Sequence, residues 1–223
     1  MIIAIEGLDG SGKTSVAQFL AQKHGFKYIR HPMQTFFGLP EHIYFDMSDK
    51  ICSSEDKEAQ ALFFLLGNKL GTLCGPNVIL DRNLLSTYFY DECEETKSLF
   101  SSFAHSQIKP DLTLLLYASP SKRTEHIRFR NPKDVDLFAK DKLTADYNTM
   151  ISYAKRMDLP YVLVNTDKIT TFEELLGCCD NLCLNFLQIA PEMRRRWCQI
   201  VCSYNKIKSS QKYTQKLKNF SMF

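Results

Sequence analysis

The stretch Gly7-Leu8-Asp9-Gly10-Ser11-Gly12-Lys13-Thr14 decides the fold that we predict for this chain. It follows an apolar run at residues 1–5 and precedes an amphipathic segment at residues 15–24, which predicts a strand, a glycine-rich loop and a helix in that order. In that context a G-x-x-x-x-G-K-[ST] pattern predicts a phosphate cradle. Glycines let the loop turn with its backbone N–H groups inward, and the helix N-terminus adds partial positive charge that suits an anion.

Two side chains at the end of this motif have direct roles in such loops. Lys13 can reach the β- and γ-phosphates of a nucleotide, and the Thr14 hydroxyl can coordinate Mg²⁺. The alternative is a glycine-rich turn with an incidental lysine, but every fixed position of the motif is present. We therefore expect a nucleoside triphosphate with Mg²⁺, bound by Gly7, Leu8, Asp9, Gly10, Ser11, Gly12, Lys13 and Thr14.

The composition is that of a globular protein. Of 223 residues, 44% are apolar and 24% are charged, and no apolar run is long enough to predict a membrane span. The chain begins directly with a predicted strand, so we expect no signal peptide and a cytoplasmic location. The eight cysteines contain no C-x₂-C pair, and in a reducing compartment this spacing predicts free thiols rather than disulfides or zinc.

The charge is distributed unevenly along the chain. Residues 191–223 contain eight Lys or Arg and one acidic residue, Glu192, so this segment carries a charge of +7. Because the whole chain carries +3, residues 1–190 carry −4. We expect a single domain over residues 1–190 and a solvated, partly helical, basic C-terminal extension over residues 191–223. The alternative is that the extension binds nucleic acid, a membrane surface or an acidic partner.

Short apolar runs alternate with helical patterns along residues 1–190. We predict strands at residues 1–5, 26–30, 77–80, 112–117 and 161–165. We predict helices at residues 15–24 and 53–74, from residue 83 to 107 with a break near 92–95, and at residues 119–131, 134–157 and 170–187. This alternation predicts an α/β fold, with a five-stranded parallel sheet flanked by helices on both faces in three layers.

Two of these helices carry specific signals. In the predicted helix at residues 53–74, apolar residues recur at helical spacing. They predict a core-facing stripe made of Ala59, Leu62, Phe63, Leu66, Leu70 and Leu73. The run Thr170-Thr171-Phe172-Glu173 predicts a capping box at the start of the last helix.

Charged residues stand at the predicted carboxyl ends of strands, where open parallel sheets bind ligands. Asp81 and Arg82 end the third strand, and Arg30 ends the second. An aspartate at this place predicts an acceptor for the water ligands of Mg²⁺, and the planar fork of Arg82 suits a transferred phosphate. The alternative is that Asp81 and Arg82 pair with each other or cap the next helix.

A basic helix and loop follow the fourth strand, with Lys122, Arg123, Arg128 and Arg130 on the helix. Such a segment can close over a triphosphate and neutralise the charge that develops in transfer. The alternative is a solvated helix face.

Together these motifs resemble the thymidylate kinase family. Residues 5–14 are similar to its P-loop, residues 81–90 to its Asp-Arg signature with a downstream Ser and Tyr, and residues 109–113 to the Pro-Asp that opens its fourth strand. The resemblance covers about residues 1–188. It implies the P-loop kinase fold, transfer of phosphate from ATP to dTMP with Mg²⁺ in dTTP biosynthesis, and a homodimer.

The resemblance also implies residue roles at the acceptor site. Asp9 would approach the sugar 3′-hydroxyl, Arg30 and Arg82 would hold the acceptor phosphate, and Tyr90 would crowd the 2′ position and so select deoxyribose. Gly10 stands where some members carry an arginine, and members without it use arginines of the lid instead. The resemblance therefore implies a catalytic set of Asp9, Lys13, Arg82, Arg123, Arg128 and Arg130, with Thr14 and Asp81 serving the metal.

The base pocket departs from the family pattern. The family usually has a Phe and, four residues later, an Arg on the helix before the third strand; here Leu65 and Lys69 occupy the apparent positions, with Phe64 one residue away. Either the register shifts or the pocket differs. Asn83 replaces the usual Tyr or His, and Gln34 replaces an arginine of some members. The implied set for the nucleoside monophosphate is Asp9, Arg30, Phe64, Lys69, Arg82, Ser86, Thr87 and Tyr90.

A kinase for another (deoxy)nucleoside monophosphate remains an alternative to a thymidylate kinase at this stage, and two further alternatives differ in the acceptor group or in activity. A deoxynucleoside kinase would use a hydroxyl acceptor and a carboxylate base, and related folds often have Glu-Arg-Ser where this chain has Asp81-Arg82-Asn83. The second alternative is a non-catalytic P-loop module that binds ATP and engages a partner through the basic extension.

Overall fold

Five short parallel strands form one sheet in the order β2-β3-β1-β4-β5. The computed structural model describes residues 1–103, 106–134, 137–138, 145 and 147–205. Residues 202–205 are described by their backbone alone. The strands are β1 Ile2–Glu6, β2 Lys27–Ile29, β3 Val78–Asp81, β4 Leu112–Tyr117 and β5 Tyr161–Asn165. In the register, Ile3 lies opposite both Ile79 and Leu112. The predicted five-stranded parallel sheet is confirmed.

Helices pack on both faces of this sheet. Their bounds are α1 Lys13–His24, α2 Pro32–Phe37, α3 Glu41–Cys52, α4 Lys57–Gly71, α5 Leu84–Asp91, α6 Lys97–Phe103, α7 Pro120–Arg130, α8 Tyr147–Arg156, α9 Phe172–Gln188 and α10 Pro191–Asn205. One apolar cluster joins β1 and β4 to α1, α9 and α10, and a second joins α4, α5, α6 and α8. These clusters are the two interfaces of the predicted three-layer fold.

The apolar stripe predicted for α4 is partly wrong. Leu62, Leu66 and Leu73 are 43%, 45% and 52% exposed, whereas Leu65 is fully buried. The reason is that α4 packs between α5 and α2, and the sequence predicts only a loop where α2 forms. The helix therefore turns a face containing Leu65 and the polar Asn68 inward.

The first half of the basic extension also differs from the prediction of a solvated segment. Residues 191–205 form α10, and its Trp197, Cys198 and Val201 are buried in the cluster under β1 and β4. Trp197 packs on Phe186 of α9, with ring centroids 5.8 Å apart. Apolar residues spaced along this helix thus cover the sheet, while its arginines stay at or near the surface. The domain boundary at residue 190 stays a prediction, and residues 206–223 lie outside the described part of the chain.

Smaller differences concern the ends of helices. The capping box of α9 lies one residue later than predicted, because Thr171 Oγ1 accepts from the N–H of Glu174 and Glu174 in turn accepts from the N–H of Thr170. Much of the predicted helix at residues 134–157 lies outside the described residues, and its last part is α8.

Two general features of the described residues bear on the environment of the protein. The seven cysteine side chains that the structure describes are free thiols, three of them buried. Within the same residues, none of the helices is both long enough and apolar enough to cross a bilayer.

Candidate active site

The loop between β1 and α1 has the geometry that its glycines predict. Gly7, Gly10 and Gly12 have φ of 143°, 80° and 90°, values that side-chain-bearing residues rarely adopt. A Cβ on Gly7 would lie 2.5 Å from the carbonyl oxygen of Leu116. The loop closes with a hydrogen bond from the N–H of Ser11 to the carbonyl of Leu8, and α1 begins at Lys13. These features place the N-terminus of α1 behind the loop, as an anion site requires.

Lys13 lies folded against this loop. Its ammonium donates a 2.8 Å hydrogen bond to the carbonyl oxygen of Leu8 and is almost completely buried. Burial, followed by the nearby charge of Arg82, lowers the Lys13 pKa to about 7 against the opposing effect of Asp9. A phosphate group bound in the loop would place negative charge beside the Lys13 ammonium and favour its protonated form.

Asp9, Arg82 and Tyr90 form one hydrogen-bonded group in the cleft. Arg82 Nη2 donates to one carboxylate oxygen of Asp9, and the Tyr90 hydroxyl donates to the other at 3.0 Å. The Arg82 guanidinium also lies 5.6 Å from the centre of the Tyr90 ring. Burial, followed by the charge of Asp9, raises the Tyr90 pKa, so the phenol stays protonated and donates. Arg82 therefore pairs with Asp9, and not with Asp81 as in the alternative interpretation of the sequence.

A buried glutamate at the end of β1 holds the turn that carries Arg82. Glu6 Oε1 accepts hydrogen bonds from the N–H groups of Asn83 and Leu85, both at 2.9 Å, and from the N–H of Ser86 at 3.3 Å. Arg82 itself has φ of 76°. Burial raises the Glu6 pKa, although the hydrogen bonds from Ser86 oppose this. Glu6 was not predicted from the sequence, although a carboxylate at the end of an otherwise apolar strand indicates that the fold supplies hydrogen-bond donors to it.

The structure shows which residues of α4 line the cleft. Phe64 and Asn68 line the cleft, whereas Leu65 lies in the core. Since Phe64 and Asn68 are four residues apart, they occupy the positions where the family has Phe and Arg. Asn68 Nδ2 donates a 2.9 Å hydrogen bond to Thr87 Oγ1. The structure places Lys69, which was predicted in the acceptor set, outside the cleft lining, and its ammonium donates to the carbonyl oxygen of Ser106 at 2.8 Å.

These groups border one cleft of about 1080 Å³. From the predicted acceptor set, it is lined by Asp9, Arg30, Phe64, Arg82, Ser86, Thr87 and Tyr90. From the predicted ATP set, it is lined by Asp9, Gly10, Ser11, Gly12, Lys13 and Thr14, while Gly7 and Leu8 do not line it. The donor and acceptor sets therefore share a single space.

The basic helix α7 reaches this cleft with fewer arginines than predicted. Arg130 lines it and pairs with Asp134, whereas Arg128 does not line it. Arg123 is buried beneath α7, with its guanidinium 6.0 Å from the ring centre of Tyr147. The sequence analysis also missed His126, which lines the cleft and donates from Nδ1 to the carbonyl oxygen of Gly10 at 2.8 Å.

Close packing of α7 explains the glycine at position 10. A Cβ there would lie 2.6 Å from the carbonyl oxygen of Arg123. A side chain as large as an arginine therefore has no room while α7 holds this position.

Thr14 and Asp81 provide a donor set that fits Mg²⁺. Both line the cleft, and Asp81 Oδ2 accepts a 2.9 Å hydrogen bond from the Tyr28 hydroxyl, which orients the carboxylate. Mg²⁺ in nucleotide sites keeps several waters and takes one or two protein oxygens besides substrate phosphates, so one hydroxyl and one carboxylate are sufficient.

The sequence is similar to a family model and to several known proteins. The family model described as Thymidylate kinase matches residues 73–173. A "Probable thymidylate kinase" of Archaeoglobus fulgidus is 29% identical over 148 residues, which are 58% of this chain and 70% of that protein. The "Thymidylate kinase" of Nautilia profundicola is 23% identical over 180 residues, which are 75% of this chain and 90% of that protein. These matches show that the chain is similar to thymidylate kinases.

The family match runs from the end of α4 to the start of α9 and so includes the Arg82 turn and α7, while the P-loop is supported by its own motif. Among solved structures, deoxyadenosine kinase from M. mycoides with bound dCTP aligns with a TM-score of 0.55, at 18% identity over 84% of this chain and 98% of that one. This similarity shows that the two proteins share a fold.

Proposed function

We propose that the protein is a nucleoside monophosphate kinase that transfers the γ-phosphoryl group of ATP to dTMP, giving ADP and dTDP. The observation that supports this most directly is the shared cleft, in which the P-loop faces a second anion site formed by Arg30 and Arg82. Similarity to thymidylate kinases supports dTMP as the acceptor.

At the donor end, the protein positions the triphosphate. The N–H groups of the P-loop and the α1 N-terminus bind the β- and γ-phosphates, and Lys13 leaves the Leu8 carbonyl to contact them. Thr14 and Asp81 hold Mg²⁺, which supplies neutralisation of phosphate charge when bound. Arg130 of α7 adds positive charge from the opposite side of the cleft.

At the acceptor end, Arg82 and Arg30 bind the monophosphate, and Asp9 orients the sugar. An oxygen of the acceptor phosphate attacks the γ-phosphorus in line, the bond to the β–γ bridging oxygen breaks, and ADP leaves. That oxygen is already ionised at neutral pH, so the chemistry requires positioning and charge neutralisation rather than a general base.

A second candidate is transfer to the 5′-hydroxyl of a deoxynucleoside, which requires a carboxylate base. One observation favours it: Asp91 lines the cleft, and burial raises its pKa to about 7, in the range that suits a base. Under this candidate thymidine is phosphorylated and Asp91→Asn abolishes the activity.

An acceptor panel separates the two candidates. Purified protein with Mg²⁺ and ATP is offered dTMP, dUMP, UMP, CMP, dCMP, dGMP, AMP and thymidine, and products are identified by mass. We expect dTDP from dTMP, loss of that product in Lys13→Ala, and no dTMP from thymidine. Conversion of thymidine but not of dTMP would favour the hydroxyl acceptor, and turnover of neither acceptor would contradict the kinase proposal.

We also propose a homodimer, as the family resemblance implies. The exposed Leu62 and Leu66 lie on α4 and the exposed Leu73 lies just after its end, and these side chains support an apolar contact there. Sedimentation velocity should give a dimer that Leu66→Lys converts to a monomer, and a monomeric parent protein would contradict this proposal. The cytoplasmic location stays a prediction, to be checked by cell fractionation.

A further inference from the structure

The hydrogen bond between Asn68 and Thr87 joins two polar side chains in the base pocket. Both line the cleft and are 6% and 7% exposed, so they hold fixed positions and yet face the ligand space. Asn68 Nδ2 donates to Thr87 Oγ1 at 2.9 Å. Among the residues that the structure describes, the Oδ1 of Asn68 and the hydroxyl hydrogen of Thr87 have no protein partner. A base can therefore contact one acceptor and one donor side by side.

This pair can present two opposite hydrogen-bonding patterns. In the orientation described, Asn68 offers an acceptor through Oδ1 and Thr87 offers a donor through its hydroxyl hydrogen. If the amide flips, Oδ1 accepts from the Thr87 hydroxyl, and the pair then offers a donor through Nδ2 and an acceptor through Oγ1. The bond between the two side chains is kept in both states, so neither state leaves a buried polar group unpaired.

The two patterns match the two kinds of pyrimidine. Cytosine carries an amino group at C4 and an acceptor at N3, which complement the orientation described. Thymine carries a carbonyl at C4 and an N–H at N3, which complement the flipped orientation. An arginine in place of Asn68 has only donors and would satisfy the carbonyl alone.

We propose that Asn68 and Thr87 make the acceptor site accept both 4-oxo and 4-amino pyrimidines, so that dCMP is phosphorylated as well as dTMP. This inference rests on the proposed nucleoside monophosphate kinase function. Phe64 stacks on either ring, because stacking on an aromatic side chain depends little on the exocyclic groups. Discrimination between the two bases therefore depends on the hydrogen bonds that Asn68 and Thr87 make to the base edge.

The test compares kcat/KM for dTMP and dCMP with the full chain, ATP and Mg²⁺. A site built to hydrogen-bond one base rejects an analogue with the wrong pattern by about 10⁴-fold, because its polar groups stay unpaired. A dCMP value within about 100-fold of the dTMP value supports the inference. A dCMP value more than about 100-fold below it overturns the inference while leaving the kinase proposal intact, and turnover of neither substrate counts against the proposed function itself.

A substitution of one atom gives a second readout. In Asn68→Asp the side chain can only accept, so kcat/KM for dTMP should fall at least about tenfold more than kcat/KM for dCMP. The matched control is Asn77→Asp, since Asn77 is exposed and does not line the cleft, and its dCMP-to-dTMP ratio should equal that of the parent. Equal losses for both substrates in Asn68→Asp would assign Asn68 a structural role only and overturn the inference. Should Asn68→Asp not fold, the ratio measured on the parent protein still decides.

Discussion

The carboxylate of Glu6 accepts a hydrogen bond from the hydroxyl of Ser86, with the two oxygens 2.5 Å apart and both residues buried. The other carboxylate oxygen binds three N–H groups of the turn after β3. One side chain at the end of β1 thereby ties the strand that leads into the P-loop to the turn that presents Arg82. The donor and acceptor halves of the cleft are held at a fixed distance by this contact.

Removal of the Ser86 hydroxyl should weaken this connection. In Ser86→Ala the Glu6 Oε2 atom keeps its burial and loses its donor, and hydrogen bonds to charged groups contribute about 1.5–3 kcal/mol. We expect the free energy of unfolding to fall by that amount in chemical denaturation at pH 7. Ser121→Ala on the exposed side of α7 is the control, with an expected change below about 0.5 kcal/mol. Equal stability of the two variants would show that the Glu6 contact does not support the turn.

Arg128 and Arg130 of α7 were both predicted to be catalytic, but they lie in different places in the structure. Arg130 lines the cleft and Arg128 does not. We expect Arg130→Ala to lower kcat at least about tenfold more than Arg128→Ala, because only Arg130 is placed to neutralise charge on the transferred group. Steady-state kinetics at saturating ATP and dTMP measure both variants. The reverse order would mean that α7 turns its other face to the nucleotide during catalysis.

The affinity for ATP should depend on pH through Lys13. Its pKa in the free protein is lowered to about 7, and phosphate contact returns it towards the ordinary value of a lysine. Between these two values the complex holds one more proton than the free protein, so binding must weaken as the pH rises. We expect the dissociation constant of MgATP to rise roughly tenfold or more between pH 7.5 and 9.

Calorimetry in buffers of different ionisation enthalpy should also show proton uptake on binding. Lys13→Arg serves as the matched variant, because a guanidinium stays charged across this range and its affinity should vary less with pH. A flat affinity for the parent protein would contradict a neutral Lys13 in the unliganded site.

Two glycines with similar backbone angles should respond differently to alanine. Gly10 has φ of 80° and Gly38 has φ of 63°, so alanine is strained at both by about 1–2 kcal/mol. Only at Gly10 does the added Cβ meet a backbone atom, the carbonyl oxygen of Arg123 at 2.6 Å, whereas Gly38 has open space. We expect Gly10→Ala to cost about 1–3 kcal/mol more than Gly38→Ala in thermal or chemical unfolding. Equal costs would mean that α7 moves away from the P-loop without penalty.

The sequence predicts the fold correctly where a feature depends on a few neighbouring residues. The order of strands along the chain, the P-loop and the strand-ending Asp81 and Arg82 follow from runs of a few residues, and the structure contains all of them. The signal fails where partners are distant in sequence. The inward face of α4 depends on α2 and α5, so a stripe of leucines misassigned Leu62 and Leu66.

Polar residues of the site were harder to predict for a related reason. Asn68 is buried because Thr87 satisfies it, and Glu6 is buried because the turn after β3 satisfies it. A periodicity argument assigns buried positions to apolar residues and cannot anticipate such pairs. The same applies to Trp197, which lies in a strongly basic segment and is nevertheless part of the core.

The most direct test of the account is the rate of ADP formation from ATP with saturating dTMP, measured for the parent protein and for Arg82→Ala. We predict dTMP-dependent turnover in the parent and a loss of at least about 10²-fold in the variant, because Arg82 both binds the acceptor phosphate and stabilises transferred charge. The control is Arg196→Ala, an exposed residue of α10 that does not line the cleft, which should retain the parent rate. ADP formation that is unaffected by dTMP, or that persists at the parent rate in Arg82→Ala, would contradict the assignment of this cleft as a nucleoside monophosphate kinase site.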